Sequence, residues 1–410
     1  MDKQFIHTIK PEDEGFSADR LGRIKNLLNG YVNQGELPGL IAMVARQGKI
    51  VYYQKSGWMD IEAQKPMQDD AIFMIASMTK PITAVAAMML YEEGHFYLNT
   101  PISKFIPSFA NTSVYAGTGP QGGIYLDDLA SDITFRHLFT HTAGLSYGWD
   151  ENDPIDQIYQ QAQKEMEDQG VESSLRTMAE ALAKMPLAFQ PGTHWRYSLS
   201  IDVLGAIVEV ISEMPLAQFI QERIFDPLGM DDTGFWVPVE KQDRLAIIYE
   251  FSDPNLGLQP LRDFMPSPDM PDFTYGGGGL WSTAPDYARF AQMLVNKGEL
   301  DGIRLLSPTT VDLFSLNQCP EEALPYGFDE NDIYHAGYGY SLGTRVLMDV
   351  AKSGMAGSVG EFGWDGKFHT FFWIDPVKQL YGLLMFQLDM EGRHPSHNHF
   401  KQLTYQALLD

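Results

Sequence analysis

The sequence predicts an α/β (α+β) fold: one mainly antiparallel sheet built from both chain ends, with flanking helices and an inserted, mostly helical region. Three observations predict it. Near the N-terminus, LIAMVARQGKIVYYQ (Leu40 to Gln54) holds two β-rich runs around Gln47-Gly48, which is a hairpin signal. Near the C-terminus, GYGYSLGTRVLM, FGWDGKFHTFFWID and QLYGLLMFQL read as three strands. From Ser77 to about Pro260 the pattern is mostly helical, broken by Pro- and Gly-rich loops. The expected organisation is a discontinuous sheet domain of residues 1–75 and 275–410, and a mostly helical domain with long loops over residues 76–274.

Each element has a local reason. Ser17 to Gln34 reads as the first helix: Ser17 serves as N-cap, Leu21, Ile24, Leu28 and Tyr31 recur at helical spacing, and Gly35 stops it. A second helix starts at Ser77. The connection from Thr112 to Asp132 is Gly-rich and has no clear period. Asp375-Pro376 turns the last two strand-like runs into a hairpin, and a short helix from about Phe400 to Leu409 closes the chain.

The chain has 410 residues, 44% of them apolar, which is ample for a large core. With 29 basic and 54 acidic residues the net charge is −25, which argues against nucleic acid and anionic membranes as partners. The single cysteine, Cys319, excludes an internal disulfide and a four-sulfur metal site. The stretch MDKQFIHTIKPEDEGF has no apolar signal core, so a cytoplasmic protein is the expectation.

Ser77 and Lys80 sit three apart at the start of an apolar helix and are followed by Pro81. Residues i and i+3 share a helix face, so Lys80 can reach the Ser77 hydroxyl. A serine needs a neighbouring base to become a nucleophile, and a lysine is a base only when neutral. Lowering its pKa by ~3 units costs about 4 kcal/mol, which burial and a nearby cation can supply. The helix start offers free N–H groups to a developing oxyanion, and Pro81 costs little in a first turn. Ser-x-x-Lys alone is common, so corroboration has to come from elsewhere.

Two other stretches supply it. Tyr197-Ser198 lies in a polar loop before an apolar helical run, where a phenol could share a proton with Lys80. Trp364-Asp365-Gly366 sits on a C-terminal strand, and its glycine permits close backbone approach.

Ser77-Met78-Thr79-Lys80, Tyr197-Ser198 and Trp364-Asp365-Gly366, in this order, resemble the motifs of the serine β-lactamase and penicillin-binding-protein superfamily. HLFTHTAGL (His137 to Leu145), FDPLGMDDTGFWVP (Phe225 to Pro238) and GGGGLWSTAPDYARFAQMLVNKGEL (Gly276 to Leu300) extend the resemblance over nearly the whole chain. Within the superfamily the chain looks most like the class C-type branch, and there like the family VIII carboxylesterases.

The resemblance implies a β-lactamase/transpeptidase-like fold and a serine hydrolase acting on short-acyl carboxylic esters through an acyl-Ser77. Lys80 and Tyr197 would form the base pair. The Ser77 and Lys367 N–H groups would form the oxyanion hole, with Gly366 N–H as an alternative donor. Trp364, Asp365 and Gly366 would line the substrate pocket. No metal or cofactor is implied, and the partner is a small-molecule ester.

Two departures matter. Leu199 stands where the lactamases carry asparagine, and Trp364-Asp365-Gly366 replaces their Lys-Thr-Gly. Both lost groups contact lactam antibiotics in the family, which weakens the lactamase reading. The esterases usually carry glycine at the Asp365 position. Alternatives are a β-lactamase, D,D-peptidase or D-amino-acid amidase, an acyltransferase using the same acyl-enzyme, and a catalytically silent binding fold.

Three further patterns compete. Gly144-Leu145-Ser146-Tyr147-Gly148 matches G-x-S-x-G, but no strand precedes it and no helix follows. Ser146 is thus expected in a loop, and the resemblance makes His141 structural. His394, His397 and His399 lack a ligand set and are expected in an exposed polar loop. Gly276 to Gly279 lacks the Gly-Lys-Ser/Thr of a phosphate loop and, by resemblance, is expected near the active site.

Overall fold

The structure is a computed structural model and describes residues 8–120, 123–168, 174–251, 256–271, 273–327, 336–390 and 392–410. The first seven residues, part of the stretch read for a signal core, lie outside the described residues.

The central sheet has eight strands: β1 (Gly39–Arg46), β2 (Lys49–Asp60), β3 (Lys65–Pro66), β4 (Tyr338–Tyr340), β5 (Arg345–Leu347), β6 (Phe362–Asp365), β7 (Phe371–Asp375) and β8 (Leu380–Met385). Their spatial order is β4-β5-β6-β7-β8-β1-β2-β3, and every neighbouring pair is antiparallel. Both chain ends therefore meet in one sheet, at the β8–β1 seam, where Met43 faces Leu383. The β1–β2 hairpin turns at Gln47 and Gly48, both with positive φ, as the primed hairpin turns require.

Alternation decides the two faces. Ile41, Met43, Phe372, Leu383 and Met385 enter the large core, whereas Leu40, Ala42, Val44, Phe371 and Leu384 enter a second cluster on the opposite face. That second cluster is roofed by α1 (Ala18–Asn33) and by the C-terminal helix, to which Phe400 belongs. Ser17 caps α1 through the Arg20 N–H, as its position before the periodic run predicts. All eight residues of β1 are buried because both faces are covered.

The large core joins the sheet to the region in between. Its main helices are α2 (Thr79–Glu92), α3 (Ser200–Ser212) and α4 (Ala284–Val295). Nearly every α2 residue is buried, so α2 is a central helix rather than a one-faced one.

Several elements differ from the sequence reading. GYGYSLGTRVLM forms two strands, β4 and β5, because Ser341 to Thr344 make a turn closed by Ser341 N–H to the Thr344 carbonyl. FGWDGKFHTFFWID likewise splits into the β6–β7 hairpin. Part of the Thr112–Asp132 connection pairs as a hairpin, Val114–Thr118 with Ile124–Asp127. The last helix, α5, spans Ser396–Tyr405 and starts four residues earlier than read. His397 and His399 therefore lie on a helix, and His394 and His397 are buried rather than exposed, because this turn packs against Phe386 and Phe371. Among the described residues no single helix is long and apolar enough to cross a membrane, and no cluster of three His, Cys, Asp or Glu could hold a metal ion.

Candidate active site

Ser77 lies in a 3₁₀ turn, Ala76–Met78, that leads straight into α2. Ala76 has φ 43°, a left-handed conformation that a side chain resists. Ile75 N–H is held by the Leu280 carbonyl, and Met78 N–H by the Ile75 carbonyl, so the bend is fixed from both sides. Strain of this sort, ~1–3 kcal/mol, persists where the surroundings over-determine the geometry.

Lys80 is fully buried. Its Nζ donates to Ser77 Oγ at 3.0 Å and to the Gly277 carbonyl at 2.6 Å. Burial pulls its pKa down from 10.5 to about 7, while the charges of Asp202 and then Asp365 pull the other way. The nearby cation expected to help is not what depresses it: the named charges are carboxylates, and desolvation alone outweighs them.

Tyr197 precedes α3 and lies beneath Lys80, whose Nζ is 4.6 Å from the centre of its ring. The Tyr197 hydroxyl accepts the Trp364 indole N–H at 3.2 Å and shares a hydrogen bond with Ser77. Burial pushes the phenol pKa well up, so Tyr197 is protonated at neutral pH. Ser77, Lys80, Tyr197 and Trp364 thus come together from α2, the loop before α3, and β6.

The third motif divides. Trp364 faces Tyr197. Asp365, the next residue on β6, points to the other side of the sheet, where its carboxylate pairs with Arg393 and Arg345. Asp365 was expected in the substrate pocket; strand alternation places it behind the pocket instead. β6 is nevertheless regular there, with Asp365 opposite Phe371. Gly366 lies so close to the serine turn that a Cβ would fall 2.5 Å from the Ile75 carbonyl oxygen. Its N–H is engaged by the Thr370 carbonyl at 2.8 Å, which leaves the Lys367 N–H as the candidate second oxyanion donor.

Asp202 was missed. It is a buried carboxylate on α3, five residues after Tyr197. It accepts the Gly277 N–H at 2.9 Å, and so orients the peptide whose carbonyl holds Lys80. The signal for it was a lone carboxylate in the apolar run SIDVLGAIV. Close packing on α3 accounts for two glycines of the run: a Cβ on Gly276 would fall 2.8 Å from the Ile201 carbonyl oxygen, and one on Gly277 2.6 Å from Asp202 Oδ2.

Ser146 and His141 take other places. Ser146 Oγ is bound to Asp156 and accepts Arg196 Nε–H at 3.0 Å, in a loop with no strand before it. His141 is buried, with Nδ1 3.3 Å from Ser198 Oγ and its ring 4.7 Å from Tyr197. Burial, reinforced by Lys80, keeps it neutral. Tyr147 stacks on the largely exposed Trp149 at 4.3 Å, adding an aromatic wall beside Tyr197.

The β-lactamase family profile matches residues 24–406. The chain belongs to the β-lactamase family. Among curated proteins of this family it is 38% identical over 368 residues to Protein Rv1367c of Mycobacterium tuberculosis, covering 86% of each chain. It is 30% identical over 394 residues to Esterase EstB of Burkholderia gladioli, covering 92% of each. Its fold matches that of Simvastatin Synthase (LovD) from Aspergillus terreus with a TM-score of 0.79, at 23% identity and over 95% of this chain and 98% of that one. The β-lactamase/transpeptidase-like fold expected from the motifs is thus the fold of this protein.

Proposed function

We propose that this protein is a serine carboxylesterase working through an acyl-Ser77 intermediate. One observation carries the reading: a buried Lys80 with a pKa near neutrality, held at 3.0 Å from Ser77 Oγ. At pH 7 about half of such lysines are neutral and can take the serine proton. The 30% identity to Esterase EstB supports ester chemistry, and Trp364 in place of a lactam-binding lysine favours an ester over a lactam.

The geometry supports a two-step sequence. Ser77 Oγ attacks the ester carbonyl carbon, and its proton passes to neutral Lys80. The carbonyl oxygen becomes an oxyanion held by the Ser77 and Lys367 N–H groups, next to the start of α2. The C–O bond to the alcohol breaks. Tyr197, kept protonated by burial and steered by the Trp364 indole, donates to the leaving alkoxide and is re-protonated from the lysine. Water then repeats the sequence against the acyl-enzyme, and the acid is released. Gly277 carbonyl and Asp202 keep Lys80 aimed throughout.

The test is turnover of a short-chain p-nitrophenyl ester beside a chromogenic cephalosporin, for wild type and Ser77→Ala. The expected result is fast ester turnover, poor lactam turnover, and loss of both in the variant. Preferred lactam cleavage would overturn the esterase reading. Acylation of Ser77 without free acid, relieved by an added alcohol, would show that the acceptor is an alcohol rather than water.

A further inference from the structure

Asp365 is the motif residue that does not face Ser77, and the family resemblance has glycine at its position. Its carboxylate is bound to Arg393, from the segment before α5, and lies 4.0 Å from Arg345 Nη1 on β5. Arg345 is 1% exposed, and its guanidinium lies 5.2 Å from the centre of the Phe371 ring. Burial alone would raise the Asp365 pKa, but Arg393 and Arg345 hold it below the ordinary carboxylate value, so it is ionised.

The turn after Asp365 is tied down from the same side. His397 on α5 donates Nε2–H to the His369 carbonyl at 2.9 Å, and His369 donates Nδ1–H to the Leu388 carbonyl at 2.9 Å. Lys367 Nζ pairs with Asp389 at 3.2 Å. Toward the active site, the Thr370 hydroxyl donates to the Ile75 carbonyl at 3.4 Å, two residues before Ser77.

We infer that the Asp365–Arg345–Arg393 cluster is a positioning device for the catalytic centre: it clamps the Gly366–Lys367 turn against the serine turn from behind the sheet, and its carboxylate adds to the field in which Lys80 works. The inference rests on Lys80 acting as the base for Ser77. Asp365 is then a positioning residue, since it acts through the Lys367 N–H and through Lys80 without touching substrate.

The charges that act on Lys80 are two carboxylates. Asp202 acts on it from α3 and Asp365 from behind the sheet; Tyr147, Tyr197 and His141 come from loops and are neutral at pH 7. The helix Leu216–Ile220 and the turn of residues 341–344 carry no charged side chain. Around Asp365 itself stand Arg393, Arg345, His397 and His369. Loss of the Asp365 charge is therefore opposed by no other charge change near Lys80.

The experiment measures the rate at which a p-nitrophenyl alkylphosphonate labels Ser77, as a function of pH. The phosphonate forms a bond to Ser77 Oγ and releases p-nitrophenol, so the readout needs neutral Lys80 but no turnover. In wild type the rate should rise through a pH near 7. Asp365→Asn removes a negative charge, so Lys80 loses its proton more easily and the limb should move down by roughly half a unit to one unit. No basic side chain is among the charges that act on Lys80, so Arg393→Gln should leave the limb nearly in place. Both plateaus should fall several-fold as the clamp loosens, and the double variant should be slow with the limb of Asp365→Asn.

An Asp365→Asn limb that stays put or moves up, or a plateau unchanged in either variant, would overturn the inference. If Asp365→Asn does not fold, Asp365→Glu keeps the charge and should lower the plateau without moving the limb; a moved limb there would count against the proposal. No Ser77 labelling in wild type would overturn the acyl-serine reading itself, and this inference with it.

Discussion

Replacing Lys80 by methionine should make the protein more stable at pH 7 and less stable at pH 9.5, while removing its activity. Lys80 is wholly buried, and its pKa falls from 10.5 to about 7 on folding. Between those values the unfolded chain binds the proton more firmly than the native state does. Stability therefore rises with pH across this window, and the penalty is fully present below pH 7. At ~1.36 kcal/mol per pH unit, the penalty is about 4 kcal/mol at pH 7 and about 1.5 kcal/mol at pH 9.5.

Methionine has a similar length and no charge, so it removes that penalty. It also removes two hydrogen bonds and leaves the Gly277 carbonyl without the lysine, which costs ~2–3 kcal/mol together. The net change is a gain of about 1–2 kcal/mol at pH 7 and a loss of about 1 kcal/mol at pH 9.5. The assay is reversible urea unfolding of both proteins at the two pH values. The decisive quantity is the difference between the two changes, about 3 kcal/mol, because hydrogen-bond losses and other titrating groups largely cancel in it. A difference under about 1 kcal/mol would refute the reasoning, since Lys80 would then keep an ordinary pKa.

Ser146→Ala should retain ester turnover and cost about 1–3 kcal/mol in denaturant unfolding, because Asp156 and Arg196 lose a buried partner; loss of turnover at unchanged stability would make Ser146 the nucleophile instead of Ser77. Gly366→Ala should lower kcat/KM by roughly 10²-fold, since the new methyl group meets the fixed Ile75 carbonyl and pushes the oxyanion strand away; kinetics within twofold of wild type would sink this account. Asp202→Asn removes a charge that raises the Lys80 pKa, so the acidic limb of kcat/KM should move to lower pH while the plateau falls as Gly277 loses its anchor. A limb displaced upward in pH–rate measurements would contradict the sign.

Local chemistry in the sequence determined a good deal. Ser17 before a periodic run caps its helix, and Gln47-Gly48 between β-rich runs turns the chain. Ser77 and Lys80 meet because helical geometry puts i and i+3 on one face, which no distant residue has to supply. These features depend on φ, ψ and spacing within a few residues, so the chain alone specifies them.

Tertiary structure decided the rest. That Lys80 is dry enough to be half neutral depends on α3 and the Gly276–Gly277 segment closing over it, roughly two hundred residues away in the case of the glycines. Asp202 looked like one polar residue in an apolar helix until its Gly277 partner was in place. His394 and His397 looked exposed because polar residues usually are; their burial comes from packing on Phe386 and Phe371. Asp365 was assigned to the pocket by its motif, but alternation along β6 turned it to the arginines behind the sheet. A sequence shows which residues share a face over a few positions. Which surface covers that face, and hence which groups lose their water, is settled only when distant segments pack.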